Sequence, residues 1–269
     1  MTSRGTRIIG SGPVARVIAI IFDTDGVVTR TASVHRAAWK VLFDSYLRDR
    51  ASSSGEAFVP FDDEDYVRYV DGVARYEGVE GFLGSRGIIL ARGEPGDAPG
   101  TDTVCALGNA KNEQFLEQIR LHGVEPFETT LTLARELRRS GIATAVVSAS
   151  ESCAAVLRAA GAAELFDVRV DGVDAQELGL ASKPEPALFL EAARRLGVDP
   201  TDAAVVEDAL AGVDAGRRGG FGLVVGVDRT GHAAALRERG ADVVVADLAS
   251  FTVDPDGTWK VSSGASIDR

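Results

Sequence analysis

The chain has 269 residues, 45% of them hydrophobic and 26% charged, and carries a net charge of −11. That is material for one large domain or two modest ones of ordinary globular composition. The negative balance argues against a nucleic-acid backbone or an anionic membrane as the main partner. Cys105 and Cys153 form neither a disulfide framework nor a metal set. No apolar run approaches the ~20 residues that span a bilayer, and the first residues lack the apolar core of a signal peptide. A cytoplasmic protein is expected.

In chain order, the first strong element is the apolar run Val17–Ile21, which reads as a strand covered on both faces, as in a parallel α/β sheet. It runs into Phe22-Asp23-Thr24-Asp25-Gly26-Val27-Val28-Thr29. Asp23 and Asp25 are two apart on an extended segment, so both can face one small site at the strand's C-terminal end, where open α/β sheets bind ligands. Gly26 then permits the turn. Two adjacent carboxylates call for a cation or a perturbed proton. Alone, the pair favours an acidic strand end capping a helix by roughly two to one.

Residues 31–121 hold helical patterns (His35–Leu47, Val73–Leu83, Asn109–Arg120) and no convincing strand, so a helical domain inserted after the first strand is expected. Asp49–Pro60 and Arg92–Gly100 read as irregular loops. From residue 122 the pattern alternates. The strands Ile142–Val147, Val168–Val170, Ala203–Val206, Leu223–Val227 and Val243–Val245 are interleaved with helical segments at Thr130–Arg139, Ser152–Ala160, Pro186–Leu196, Leu210–Arg217 and Ala233–Arg239. Such alternation predicts a parallel sheet with helices on both faces. The sheet domain would comprise residues 13–30 and 122–252, and the polar segments 1–12 and 253–269 would be flexible tails.

Three further groups sit just beyond strand ends. Ser148-Ala149-Ser150 precedes a helix, and would either bind an anion or supply an N-cap through Ser150 or Ser152. Lys183 stands in a loop that Pro184 and Pro186 stiffen, and could offset phosphate charge. Glu207-Asp208 is a second carboxylate pair. Hard oxygen donors of this kind suit Mg2+, which keeps several waters and binds through one or two carboxylates plus a substrate phosphate.

The ordered set Asp23-Thr24-Asp25-Gly26, Ser148, Lys183-Pro184 and Glu207-Asp208 resembles the haloacid dehalogenase superfamily of phosphotransferases. The resemblance implies a Rossmann-like parallel-sheet core with an inserted α-helical cap, and it assigns roles. Asp23 would be the nucleophile that becomes an aspartyl-phosphate, and Asp25 the general acid and base. Mg2+ would be held by Asp23, the Asp25 carbonyl and Asp208, with Glu207 assisting. Ser148 and Lys183 would grip the transferring phosphoryl oxygens. A carboxylate at position 25 favours phosphoryl transfer over dehalogenation.

The stretch Thr31–Trp39 is similar to that of the β-phosphoglucomutase group, whose equivalents of Thr31, His35 and Trp39 lie near the hinge and the mouth of the site. Filling the core is the other reading of Trp39. Gly72-Val73-Ala74-Arg75 resembles the group's Gly-x-x-Arg turn, whose arginine takes the substrate's non-transferring phosphate. Lys111-Asn112 resembles its cap Lys-Asn pair, expected here in the first turn of a helix. Ala149 and Ser150 join them as substrate-binding positions. The implied reaction is conversion of β-D-glucose 1-phosphate to glucose 6-phosphate through the 1,6-bisphosphate, by a monomer acting on a small-molecule sugar phosphate. A sugar-phosphate phosphatase with the same core is the alternative, and a non-catalytic sensor a distant third.

Three residues depart from that pattern. Thr24 replaces an apolar residue, Arg30 stands at a commonly acidic position, and Glu151 occupies the place of a cation. A glutamate there would repel phosphate unless it turned away or paired with Arg75 or Lys111.

Overall fold

The computed structural model describes residues 13–55, 57–254 and 258–261. Six strands form a parallel sheet in the order β4-β3-β2-β5-β6-β7. They are β2 (Ala19–Asp23), β3 (Ala143–Val147), β4 (Val168–Val170), β5 (Ala203–Glu207), β6 (Leu223–Val227) and β7 (Val243–Val245). The central strand β2 lies between β3 and β5 in register, Asp23 opposite Val147 and Phe22 opposite Val206. These runs are β-branched and apolar because both faces are covered. Ile20, Phe22, Val146, Val206 and Val225 enter one core, and Ile21, Val147, Val205 and Val224 the other.

The covering helices are α5 (Glu128–Arg139), α6 (Cys153–Ala159), α7 (Gly172–Leu178), α8 (Ala187–Leu196), α9 (Leu210–Arg218) and α10 (Ala233–Glu238). All but α7 match an expected helical segment. That helix is two turns long, started by a capping box in which Asp171 accepts from the Val173 and Asp174 amides.

The inserted helices are α1 (Ala32–Ser54), α2 (Asp63–Asp65), which runs into a π-helical turn at Tyr66–Val70, α3 (Arg75–Ser85) and α4 (Val104–His122). They close on a core of their own, in which Phe43 meets Phe82 at 4.3 Å and Trp39 stacks on Phe43 at 5.1 Å. The chain leaves and re-enters the sheet domain along two paired segments. The Arg30 amide donates to the Glu125 carbonyl at 2.8 Å, and the Phe127 amide to the Val28 carbonyl at 2.9 Å. Side chains reinforce the crossing. Arg30 pairs with Glu125 at 2.9 Å, and the Phe127 ring lies between the Arg30 and Arg229 guanidinium groups.

Three expectations are corrected. The loop expected at Asp49–Pro60 begins later, because α1 continues to Ser54; Ser52 and Ser53 turn their hydroxyls back on the helix's own Arg48 and Asp49 carbonyls. Lys111 is not in a first helical turn, because α4 starts at Val104, with the Thr103 hydroxyl accepting from the Ala106 amide. The segment expected as a tail from 253 holds β9 (Thr258–Val261) and the end of β8 (Phe251–Val253). With β1 (Pro13–Arg16) they form an antiparallel sheet in the order β1-β9-β8, in which the backbone groups of both chain ends satisfy one another. Residues 1–12, also expected as a tail, and 262–269 lie outside the described residues.

Candidate active site

The C-terminal ends of β2, β3 and β5 bring three of the sequence groups together beneath a cavity of about 320 Å³. Asp23 is buried at the end of β2. Lys183 is fully buried too, and its ammonium donates to Asp23 Oδ1 and, at 2.7 Å, to Glu207 Oε2. The other Glu207 oxygen accepts the Asp208 and Ala209 amides at 3.2 and 3.1 Å, which ties β5 to the start of α9. Each carboxylate fits because a glycine makes room. A Cβ on Gly26, whose φ is +91°, would stand 1.8 Å from Asp208 Oδ2, and one on Gly212 would stand 1.8 Å from Glu207 Oε2.

Asp25 belongs to a second cluster. The Thr31 hydroxyl donates to its Oδ1, the Ser148 hydroxyl donates to its Oδ2 at 3.3 Å, and His35 Nε2 lies 3.3 Å from Oδ1. The other His35 nitrogen meets the Lys111 ammonium, so a chain of contacts runs from the cap helix α4 to Asp25. Thr24, between the two aspartates, points the opposite way and donates to the Val147 carbonyl at 3.0 Å.

The electrostatics of the two clusters differ in sign. Burial, then the Glu207 carboxylate, push Asp23 well above the usual carboxylate range, against the pull of Lys183. Burial, Asp71 and Glu207 do the same to Asp208. Burial would also raise Asp25, but His35, Thr31 and Lys111 together hold it far below the usual range. Burial lowers Lys111 to about 7, with Arg75 adding to the effect and Asp25 opposing it. Burial lowers Lys183 as well, but Asp23 and Glu207 outweigh it and hold the ammonium charged.

Asp23, Glu207 and Asp208 each offer an oxygen within 4.8 Å of the others. Asp208 Oδ1 is buried with no hydrogen-bond partner among the described residues. An orphaned carboxylate oxygen amid like charges is the donor set a hard divalent cation requires, so these residues fit Mg2+. The Asp25 carboxylate stands outside this set.

On the opposite wall, His35, Trp39, Gly72, Arg75, Lys111 and Asn112 come from the inserted helices, facing Ala149 and Ser150 of the sheet domain. Thr31, Ser148, Lys183 and Asp208, also expected at the site, lie behind the cavity wall and act on the residues that line it. Arg75 is the first residue of α3 and forms an ion pair with Glu151. Asn112 accepts from the Ser152 hydroxyl at 3.1 Å, and the Ala74 amide donates to Ser182 Oγ at 2.8 Å. Ser152 is thus occupied by the cap and caps no helix. Lys111 lies over the Trp39 and Phe115 rings at 4.8 and 5.1 Å, so Trp39 serves both the cap core and the cavity.

The reading from sequence assigned no role to Tyr66, Asp71 or Ser182, all on the cavity wall. Tyr66 donates to the Ala32 carbonyl at 3.3 Å, and burial together with the nearby Asp71 carboxylate raises its phenol well above the usual range. Its signal was weak, an aromatic in a five-residue π turn with no full helical period to place it.

A parallel α/β sheet that ends in buried carboxylates, under a helical cap that brings cations, defines an enzyme of phosphoryl transfer or phosphate-ester hydrolysis. A family model described as haloacid dehalogenase-like hydrolase matches residues 18–220. The chain is 48% identical over 240 residues to a β-phosphoglucomutase of Mycobacterium bovis, covering 88% of this chain and 92% of that one. It is 41% identical over 132 residues to a trehalose-phosphate phosphatase of Mycobacterium leprae, covering 48% and 29% of the two chains. Among solved structures, the β-phosphoglucomutase of Clostridium difficile superposes with a TM-score of 0.68 at 26% identity, over 87% of this chain and 92% of that one. The chain belongs to the haloacid dehalogenase superfamily and, within it, to the β-phosphoglucomutase-like subfamily. Among the described residues no helix is long and apolar enough to cross a membrane.

Proposed function

We propose that this protein is a Mg2+-dependent β-phosphoglucomutase that interconverts β-D-glucose 1-phosphate and glucose 6-phosphate through β-glucose 1,6-bisphosphate. The observation that carries the reading is one cavity lined both by Asp23 and Asp25 of the sheet domain and by the cap cations Arg75 and Lys111. A phosphatase needs only the first pair. A mutase must hold one phosphate while the other reacts.

Asp23 Oδ attacks phosphorus, the bond from phosphorus to the sugar oxygen breaks, and Asp25, which His35, Thr31 and Lys111 otherwise hold ionised, gives that oxygen the proton it took from the acceptor hydroxyl in the preceding transfer. In the reverse direction Asp25 takes the proton of the acceptor hydroxyl as it attacks the aspartyl-phosphate. Thr31, Ser148 and His35 fix the orientation of Asp25 in both steps. Lys183 sits against Asp23 and would neutralise charge on the transferring group. Asp23, Glu207, Asp208 and the Asp25 carbonyl would hold Mg2+, which, when bound, offsets negative charge on the phosphoryl oxygens. The intermediate then turns around so that its other phosphate meets Asp23. A small-molecule sugar phosphate is the only partner this chemistry needs, and a monomer suffices.

A phosphatase is the second reading, favoured by the Arg75–Glu151 pair, which neutralises one of the two cations. The test supplies Mg2+, β-glucose 1-phosphate and a trace of the bisphosphate, and follows glucose 6-phosphate and free phosphate together. Glucose 6-phosphate with little free phosphate supports the mutase. Free phosphate alone overturns it in favour of the phosphatase.

A further inference from the structure

The Arg75–Glu151 pair crosses the cavity between the cap helix α3 and the loop that follows β3. Its side chains are 17% and 34% exposed, and both line the cavity. Arg75 Nε is buried and has no partner among the described residues. The guanidinium therefore has one face bound to a carboxylate and one donor unspent. A carboxylate and a phosphate offer a guanidinium the same pair of oxygens, so each can replace the other on Arg75. The rest of the neighbourhood makes the anion replaceable. Glu151 is not held by any second cation among the ion pairs of the described residues, and Lys111 stands close enough for its charge and that of Arg75 to be felt by one another.

We propose that Glu151 is a built-in competitor for the second phosphate site. Its carboxylate occupies Arg75 when that site holds no phosphate, and the non-transferring phosphate of a bisphosphate must displace it. This rests on the assignment of Arg75 to the second phosphate. The competition has three consequences. It raises the bisphosphate concentration needed to fill the site, and it gives Arg75 a charged partner in every state, so a buried guanidinium is never left uncompensated. It also makes Glu151 a selectivity residue. A monophosphate whose own phosphate reacts at Asp23 leaves the pair intact, whereas a bisphosphate, or a monophosphate whose hydroxyl accepts the phosphoryl group, must break it.

The experiment measures the half-saturating concentration of β-glucose 1,6-bisphosphate in the presence of Mg2+, with glucose 6-phosphate and free phosphate both followed. It compares the parent chain with E151Q, E151D, R75A and the double variant R75A/E151Q, each checked for an unchanged melting profile. E151Q is expected to lower the half-saturating concentration about ten-fold or more, the worth of a charge-assisted hydrogen bond removed from the competing state. E151D, which keeps the charge, should stay close to the parent, and kcat should move less than the half-saturating concentration. In the double variant the gain should vanish, since nothing remains to compete for. If R75A weakens the bisphosphate but E151Q leaves it unchanged or weakens it, the competitor is overturned while the second phosphate site stands. If R75A has no effect on the bisphosphate, both fall. Should E151Q lose its fold, E151A replaces it, with the same fall in the half-saturating concentration expected. A half-saturating concentration that does not fall in E151A overturns the proposal.

Discussion

The two walls of the cavity are built on opposite principles. On the sheet side, three carboxylates (Asp23, Glu207, Asp208) crowd around one lysine, and their positions follow from strand register and two glycines. On the cap side Arg75 pairs with Glu151 across the gap, while the Lys111 ammonium meets the His35 imidazole, which offers it no negative charge. The first wall stores an excess of negative charge that only a cation can balance. The second keeps an excess of positive charge that an anion can balance. A rigid wall that needs a metal and an adaptable wall that accepts a phosphate are what a two-phosphate substrate requires.

The largest expected effect breaks the rigid wall. D23N should lower turnover by roughly five orders of magnitude or more, since the nucleophile is gone. A burst experiment with acetyl phosphate should then show no phosphoenzyme. K183M should lower kcat by about a thousand-fold, by analogy with the loss of a charge-stabilising donor. It should also make stability depend on pH. Without the ammonium, Asp23, which burial and Glu207 already raise, keeps a folded-state pKa above its unfolded one, so its contribution is present at low pH and lost as pH rises. Urea melts at pH 5 and pH 8 should therefore show the larger loss at pH 8. G26A should come next. The positive φ costs about 1–3 kcal/mol, and the collision with Asp208 should raise the Mg2+ concentration for half-maximal activity by about ten-fold.

The adaptable wall should yield smaller and more selective effects. R75A should weaken the bisphosphate by about 10- to 100-fold, as expected for a charge-assisted hydrogen bond, and hydrolysis of a small monophosphate much less. Equal losses in both assays would show that the walls do not divide the work. The smallest effect should come from pH. Lys111 is lowered to about 7 in the fold, so it loses its charge as pH rises through that value. Bisphosphate affinity should decline above pH 7 in the parent and stay level in K111M. The stability sign is opposite. The folded state carries the full penalty of a buried ammonium below pH 7, and the penalty fades as pH approaches 10.5. The stability gain of K111M should thus shrink across that range.

The same contrast explains what was legible in the sequence. The rigid wall could be read because strands announce themselves by apolar runs and deliver side chains at fixed spacing, as with Asp23 after Ile20-Ile21-Phe22. The parallel sheet and the placement of Ser148 just beyond β3 and of Glu207 at the end of β5 followed from the same pattern, whereas Lys183 reaches the site from the loop after α7 and not from a strand end. What escaped were features whose partners are distant in sequence. That Ser148 and Thr31 serve Asp25, and that Lys183 bridges Asp23 and Glu207, are facts of three-dimensional closure. The antiparallel sheet joining residues 13–16 to 258–261 has no local periodicity strong enough to reveal it. Glu151 was conspicuous as a misfit of charge, but only the fold shows that Arg75 receives it. Ser52 and Ser53 read as loop formers because hydroxyls compete for backbone, and here they satisfy the carbonyls of the helix that contains them.

The paired crossing at Val28–Arg30 and Glu125–Phe127 has a mechanical meaning. A single linker would let the cap wander in three rotational directions and arrive at the sheet in many orientations. Two strands hydrogen-bonded side by side, with an aromatic ring held between two guanidinium groups, twist far less readily than they bend. Such a joint has in effect one soft axis. In the proposed mutase cycle, the cap would swing away while the intermediate turns around, and each return would follow the same arc and set Arg75 and Lys111 over the same spot. Accuracy of reassembly is then a property of the joint, and the side chains at the mouth need supply only the final grip.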